Sequence, residues 1–72
     1  MIPLSLAPKG GALTIGLIKG KDETKRFLEN LGFVHGGSVT VITEIDGNMI
    51  VNVKDVRVAV SKQMANRILV EQ

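Results

Sequence analysis

The sequence predicts a mainly β fold, a small barrel of about five short strands with one short α-helix inserted after the first strand. Apolar residues alternate with polar ones in several short segments, and turn residues separate these segments. One segment has the spacing of an amphipathic helix instead. The chain has 72 residues, too few for a two-layer sandwich, whereas closure into a barrel buries one face and removes exposed edges. We therefore expect a single domain over residues 1–72.

The first predicted strand covers residues 12–18. Leu13, Ile15 and Leu17 alternate with small or polar residues, which is the period of a half-buried strand. A period of two places these three side chains on one face of the sheet. Glycines at positions 10 and 11 predict a turn before this strand, and Gly20 ends it.

The segment DETKRFLENLG, which follows, predicts a short helix. Asp22 is suited to the N-cap because its carboxylate can accept a backbone N–H at the positive end of the helix. Gly32 is suited to the left-handed position after the helix, with Phe33 packing on Leu28 in a Schellman arrangement. At about 100° per residue, the inner side of the helix is predicted to hold Thr24, Phe27, Leu28 and Leu31.

The remaining strands are predicted from alternating valines and isoleucines. They follow a turn at Gly36-Gly37 and cover residues 39–45, 49–53, 56–60 and 68–70. Asp46-Gly47 or Gly47-Asn48 predicts a tight hairpin turn of the primed type, and Lys54-Asp55 predicts another short turn. Ser61 is suited to cap one helical turn before the last strand.

Composition excludes several kinds of site. The chain has no cysteine, which rules out disulfides, thiolate zinc sites and cysteine nucleophiles. Its one histidine is His35, and a structural metal site needs about four ligands. We therefore expect no metal site and no cofactor. The fold must rest on its apolar core, for which 44% of the residues are available.

The charges are few and mixed in sign. The formal net charge is +2, and residues 27–53 contain three acidic residues and no lysine or arginine. This is not the basic block of a nucleic-acid-binding arm. Phe27 and Phe33 are the only aromatic residues, too few for the stacking platforms of single-strand binders. We expect no nucleic-acid partner.

The amino-terminal segment and the apolar runs predict a cytoplasmic protein. The start MIPLSLAPKG lacks the basic beginning of a secretory signal, and prolines interrupt its apolar stretch. No apolar run approaches the roughly 18 residues that span a bilayer. We expect no membrane insertion.

The candidate catalytic motifs in the sequence are incomplete or have a simpler structural explanation. The segment GLIKGKD, residues 16–22, is one residue shorter than a phosphate-binding loop, and Asp22 stands where that loop has a hydroxyl. The acidic pairs Asp22/Glu23 and Glu44/Asp46 fall at a helix start and a hairpin tip, where capping and solubility explain them better than acid–base chemistry. We expect that the protein is not an enzyme and has no catalytic residue.

Four segments resemble the FeoA family, the small ferrous iron transport protein A. Leu4 and Leu6 precede a glycine ahead of the first strand, and the helix ends in LENLGF, residues 28–33. A glycine and an alternating strand follow in GGSVTVI, and the chain ends in RVAVSKQMANRILVE, residues 57–71. His35 departs from the family pattern, because many members have proline before the turn glycine.

This resemblance implies an SH3-like barrel and a cytosolic accessory of the membrane ferrous-iron transporter FeoB, whose cytosolic part is a GTP-binding domain. The family is associated with transition-metal ions but has no agreed catalytic residues. Similar domains end iron-dependent repressors. The positions that match the family pattern are interpreted as structural, and they are Leu31, Gly32, Gly36, Ala65 and Ile68.

The predicted partner surface is the outer side of the helix and the loop after it. A β-branched residue beside an imidazole in a turn is an adaptable pair of the kind that interfaces use. We expect the FeoB GTP-binding domain to contact Lys25, Arg26, Val34 and His35. Two alternatives stay open. One is an SH3-like peptide-binding adaptor, which needs a groove lined by aromatic residues, and the other is a small nucleic-acid-binding barrel.

Overall fold

Six antiparallel strands form one sheet in this computed structural model, which describes residues 1–71. The order of the strands across the sheet is β1-β6-β2-β3-β4-β5. The strands are β1 (Ile2–Pro3), β2 (Ala12–Ile18), β3 (Ser38–Ile45), β4 (Asn48–Val53), β5 (Val56–Ser61) and β6 (Ile68–Glu71). The helices are α1 (Asp22–Leu31) and α2 (Lys62–Ala65), and a 3-10 turn covers Leu4–Leu6.

The predicted class, mainly β with a short helix after the first predicted strand, is confirmed, and that strand is β2 in the structure. The five predicted strands are all present, and β1 is the sixth. It pairs Ile2 with Val70 and Pro3 with Leu69 at the edge of the sheet. Two residues are too few to produce a visible period in the sequence. Proline has no backbone N–H to donate, and it is tolerated at the edge of a sheet because no neighbouring strand requires that hydrogen bond.

Helical segments, not a further strand pair, cover the opening between the two ends of the sheet. Within residues 1–71, β1 and β5 do not pair with each other. Helix α2 packs against β4, β5 and the 3-10 turn. The Lys62 N–H donates to the Gly47 carbonyl over 3.0 Å, and the Ser5 hydroxyl donates to the Asn66 side chain. The barrel is therefore completed by side-chain and backbone contacts of α2.

The core lies on the inner face of the curled sheet, under α1 and α2. It contains no buried polar or charged side chain among the described residues. Burial of this apolar surface is the main favourable contribution to folding, at about 25 cal/mol per Å². The largest fully buried side chains are Phe33, Leu4, Ile15, Leu28, Ile68, Val39, Val41, Val51, Val53 and Val70.

Helix α1 ends at the predicted residue, but its N-cap lies one residue earlier than predicted. Gly32 is left-handed, with φ 114°. Its N–H donates to the Glu29 carbonyl over 2.9 Å, and the Phe33 N–H donates to the Leu28 carbonyl over 3.0 Å, which is the Schellman pattern. The predicted N-cap Asp22 is wrong, because Lys21 holds that position and Asp22 lies in the first turn. Its carboxylate still stabilises the positive end of the helix there.

Phe27 does not belong to the core, contrary to the helical-wheel prediction. Its side chain is 50% exposed, whereas Leu28 is fully buried. Consecutive helical residues are about 100° apart, so Phe27 lies at the border of the stripe that is centred on Leu28. A short helix against a small barrel buries a stripe too narrow to include it.

Two β-bulges reverse the inside–outside pattern that strict alternation predicts. In β2, Ile15 is opposite Val70 and Leu17 is opposite Leu69, so Gly16 is an extra residue. After this bulge Ile18 is buried and Leu17 is 45% exposed. The expectation that Leu17 shares a face with the buried Ile15 is therefore wrong, because an extra residue shifts the phase by one.

The second bulge has the same effect in β3. Val41 is opposite Val51 and Thr43 is opposite Ile50, which leaves Ile42 without an opposite residue. Beyond it, Ile45 is 55% exposed at the end of the strand. Leu17 and Ile45 are thus two apolar strand residues that bulges place on the outside of the barrel.

Both predicted hairpin turns are present. Asp46 and Gly47 have φ values of 49° and 80°, and Lys54 and Asp55 have values of 51° and 62°. Positive φ at both central residues identifies turns of type I′, whose twist matches that of the flanking strands.

Removal of the Ser61 hydroxyl is expected to destabilise the cap of α2. The Met64 N–H donates to the Ser61 Oγ over 3.1 Å, so Ser61→Ala leaves this donor without its acceptor. We expect the free energy of unfolding to fall by about 1 kcal/mol. Urea unfolding followed by circular dichroism measures this loss. Ser38→Ala, at an exposed strand start, is the control, and an equal loss in both variants would contradict the capping role.

Candidate docking site

The two predicted cations of α1 point in different directions. Lys25 and Arg26 are both exposed, but consecutive helical residues are about 100° apart. Lys25 lies on the side of α1 that faces β2, one turn before Glu29. Arg26 lies further around the helix, towards solvent. The helix therefore presents one cation to β2 and one to the surroundings.

The loop after α1 is tied to β2 by backbone hydrogen bonds. The Gly36 N–H donates to the Ile15 carbonyl over 2.7 Å, and the Ile15 N–H donates to the Gly37 carbonyl over 2.8 Å. The Gly37 N–H also donates to the Val34 carbonyl over 2.9 Å. Gly36 has φ 82°, which glycine adopts without strain. These bonds hold the exposed His35 beside β2, while Val34 is half-buried.

An open groove of about 220 Å³ lies between α1, β2 and the loop that follows α1. Its walls carry a lysine, a glutamate and a histidine, and an exposed leucine lies on the strand side. The lining residues are Gly16, Leu17, Ile18, Lys25, Glu29 and His35. We call this feature the α1–β2 groove. It brings together Lys25 and His35, whereas Arg26 and Val34 lie outside its lining.

Four lining residues of the groove were not among the predicted contact residues, and they are Gly16, Leu17, Ile18 and Glu29. Leu17 was assigned to a regular alternating strand, and no role was predicted for Glu29. A signal for Leu17 was present, because an isolated glycine inside a strand pattern often marks a bulge, and Gly16 immediately precedes it. No local signal placed Glu29 beside β2, because that depends on how α1 packs.

A second depression lies on the other side of the loop. Its volume is about 410 Å³, and its lining is mostly polar. Lys54 and Asp55 contribute opposite charges, and no exposed large apolar side chain contributes. The lining residues are Gly32, Gly37, Ser38, Thr40, Asn52, Lys54 and Asp55. This depression therefore offers hydrogen bonds without an apolar anchor.

A family model described as the FeoA domain matches residues 2–72. The chain belongs to the FeoA family. Membership of the family implies a role in ferrous iron transport. No curated protein sequence matches the chain.

Solved FeoA structures share the fold over almost the whole chain. An iron uptake regulatory protein (FeoA) has 30% identity and a TM-score of 0.88, covering 97% of this chain and 93% of that one. The zinc complex of Stenotrophomonas maltophilia FeoA has 25% identity and a TM-score of 0.83, covering 99% and 91%. That protein is described as a procaryotic SH3 domain protein and a candidate ferrous iron transport activating factor.

The same fold occurs inside longer chains. ScaR with bound Zn²⁺ matches with a TM-score of 0.88 at 18% identity, covering all of this chain and 37% of that one. At this identity the likeness shows the fold alone.

The five positions interpreted as structural in the FeoA pattern lie at helix ends, in turns and in the core. Gly32, Ala65 and Ile68 are buried, Leu31 is half-buried, and Gly36 is exposed in the turn that contacts β2. None of these side chains lines the α1–β2 groove. These five structural positions are therefore distinct from the residues that line the groove.

Metal ligands are not clustered in the part of the chain that the structure describes. Nowhere in residues 1–71 do three or more His, Cys, Asp or Glu side chains come together in a way that could hold a metal ion. Among the same residues, no helix combines the length and the apolar character needed to cross a membrane.

Proposed function

We propose that this FeoA protein is a cytosolic, non-enzymatic accessory of ferrous iron uptake, and that it works as one domain over residues 1–72. It docks on the GTP-binding domain of a FeoB-type transporter. Membership of the FeoA family supports the role in iron transport. The docking surface that we propose consists of Lys25, Arg26, Val34 and His35.

The observation that carries this proposal is the meeting of two elements at the α1–β2 groove. Lys25 comes from α1 and His35 from the following loop, and both line the same groove. Lys21 and Arg26 are exposed nearby on the chain, and so are Asp22 and Glu23, so the surrounding charges are of both signs. An interface of this kind combines an apolar centre with a polar rim, and complementary charges on the partner would speed encounter and fix the register.

Docking would regulate the transporter by shifting a conformational equilibrium. A protein without catalytic groups can act in this way if it binds two states of the GTP-binding domain with different affinities. The preferred state then becomes more populated. This requires no metal, nucleotide or covalent chemistry from the FeoA chain itself.

Charge reversal at Lys25 and Arg26 tests the proposal. We expect Lys25→Glu/Arg26→Glu to slow association with the purified GTP-binding domain by about tenfold at low salt, because complementary charge mainly accelerates encounter. The difference should shrink as salt rises. The melting temperature should stay within a few degrees, since exposed substitutions usually change stability by about 0.5 kcal/mol or less. Stopped-flow or surface-binding kinetics measure the rates.

Lys9→Glu/Arg57→Glu is the matched control. Both residues are exposed, both lie outside α1 and its loop, and the change in net charge is the same. Equal slowing in both variants would show that only net charge matters. Unchanged association in the α1 variant would move the docking site elsewhere, with the hairpin tip at Asp46-Gly47 as the next candidate.

The exposed Phe27 does not turn this site into an SH3-type peptide groove. Such grooves are lined by several aromatic side chains that hold a proline-rich helix. Phe33 is fully buried, Phe27 is the other aromatic residue of the chain, and it does not line the α1–β2 groove. The α1–β2 groove therefore lacks the aromatic lining that holds a proline-rich peptide.

A further inference from the structure

We infer that the free edge of β5 pairs with the same edge of a second copy of this chain, antiparallel and about a two-fold axis at Val58. This edge contains none of the proposed docking residues, and the inference does not depend on the proposed function. It is carried by the position of β5 in the sheet, by the direction of its backbone groups and by the order of its side chains.

Strand β5 is an edge strand without the features that usually keep sheet edges apart. It is the last strand of the sheet, and among residues 1–71 it pairs only with β4. Natural edges are protected by short strands, prolines, lysines or bulges. The opposite edge, β1, has two residues, one of which is a proline. Strand β5 has six residues, VRVAVS, with no proline or lysine, and it pairs with β4 without a bulge. A regular edge of this kind can pair with a strand of another chain.

The backbone groups of Arg57 and Ala59 point away from β4. The Lys62 N–H donates to the Gly47 carbonyl over 3.0 Å, which fixes the residues of β5 that bond to β4. In an antiparallel pair every second residue bonds to the neighbouring strand, and the register between β4 and β5 is unbroken. Counted back from Lys62, the three valines bond to β4, whereas Arg57 and Ala59 direct their N–H groups and carbonyls to the free edge. No backbone hydrogen bond joins these groups to another part of residues 1–71.

This edge is accessible at the end of β5 that lies away from α2. Helix α2 follows β5 directly and packs against it. The inner-face valines become more exposed with distance from α2. Val60 is 5% exposed, Val58 is half-buried, and Val56 is 56% exposed. Arg57 and Ala59 are also exposed, so the free backbone groups lie where solvent, or another strand, can reach them.

The order of side chains in β5 matches a second copy of itself. Antiparallel pairing centred on Val58 places Val58 opposite its own equivalent, Val56 opposite Val60, and Arg57 opposite Ala59. Each of the two Arg57–Ala59 pairs then forms two main-chain hydrogen bonds, and these use all the free backbone groups of both residues. Arg57, the one charged residue of the strand, meets an alanine and not a like charge.

The resulting dimer is expected to be weak. Only residues 56–60 of each copy take part, whereas a stable interface involves about 20–30 residues a side. We expect a dissociation constant of about 0.1–1 mM.

The association of the unmodified chain is tested first. Sedimentation equilibrium from about 0.05 to 2 mM, a range that spans the expected dissociation constant, should show a change from monomer towards dimer. In isotope-labelled protein the backbone amide signals of Arg57 and Ala59 should shift over the same range. A monomer at every concentration would overturn the inference and leave the edge to a strand of another protein. Association with shifts confined to other residues would overturn it as well.

Charges at position 59 then test the register. Ala59→Lys places a like charge opposite Arg57 of the second copy, and Ala59→Glu places an opposite charge there. Because cross-strand pairs of this kind change stability by a modest amount, we expect Ala59→Lys to weaken dimerisation about threefold or more and Ala59→Glu to strengthen it by a similar factor. The double variant Arg57→Glu/Ala59→Lys restores the opposite charges and should associate as tightly as Ala59→Glu.

Ala12→Lys and Ala12→Glu are the matched controls, because Ala12 is an exposed alanine of another strand, β2. They change the net charge equally, and we expect them to alter dimerisation by less than about twofold. Melting temperatures of all variants should stay within a few degrees of the unmodified protein. Changes in the same direction for both Ala59 variants, or changes at Ala12 as large as those at Ala59, would contradict the pairing of β5 with its copy.

Discussion

Phe33→Ala is expected to remove about 3–5 kcal/mol from the free energy of unfolding. Phe33 is fully buried in the apolar core, and its deletion leaves a cavity that the other core side chains cannot fill without moving. Stable domains have only about 0.05–0.15 kcal/mol of stability per residue. A loss of this size is therefore a large part of the total for a chain of 72 residues, and the variant should be partly unfolded at 37 °C.

Phe27→Ala is the matched control, because it removes the same atoms from a side chain that is 50% exposed. We expect it to cost less than about 1 kcal/mol. Urea unfolding followed by far-ultraviolet circular dichroism measures both losses, since the chain has no tryptophan or tyrosine as a fluorescent probe. Similar losses in the two variants would mean that Phe27 packs in the core in solution, as the helical wheel predicted.

Gly32→Ala is expected to lower the free energy of unfolding by about 1–2 kcal/mol. Gly32 has φ 114°, a conformation that a residue with a Cβ adopts only with strain. A Cβ at this position would lie 3.5 Å from the nearest atoms of Lys54 and Val53, an ordinary contact. The cost therefore comes from the backbone, not from a collision.

Gly11→Ala is the control for this prediction. Its φ lies outside the left-handed region, and a Cβ there would meet no atom within 4 Å. We expect no loss, or a gain of about 0.4–1 kcal/mol, because alanine restricts the unfolded chain. If Gly32→Ala were as stable as Gly11→Ala, the left-handed ending of α1 would not be required in solution.

Much of the fold was predictable because its signals are local. The ends of β2, the extent of α1 and the two I′ turns follow from alternation, helical spacing and turn residues within a few positions of each other. Gly32 and Phe33 ended the helix as predicted for the same reason, since the Schellman pattern involves only six consecutive residues. The family pattern was also visible, because its segments occur in order along almost the whole chain.

The candidate site was predictable only in part. Lys25 and His35 were selected from the sequence, and the structure brings them to one groove. Leu17, Glu29 and the half-exposed position of Phe27 were not foreseen. Phe27 depends on how wide a stripe of α1 the barrel covers, and Glu29 depends on the side of α1 that faces β2. Neither property belongs to the helix itself.

The sequence by itself determined which segments are strands and helices, where the chain turns, and that valines, isoleucines and leucines supply the core. Only the tertiary structure decided which leucine faces water. Leu17 follows an extra residue in β2, and that residue is extra only relative to β6, which comes from the other end of the chain. The period of an isolated strand cannot reveal a mismatch between two strands. The pairing of β2 with β6 therefore turned a predicted core residue into the apolar wall of the groove.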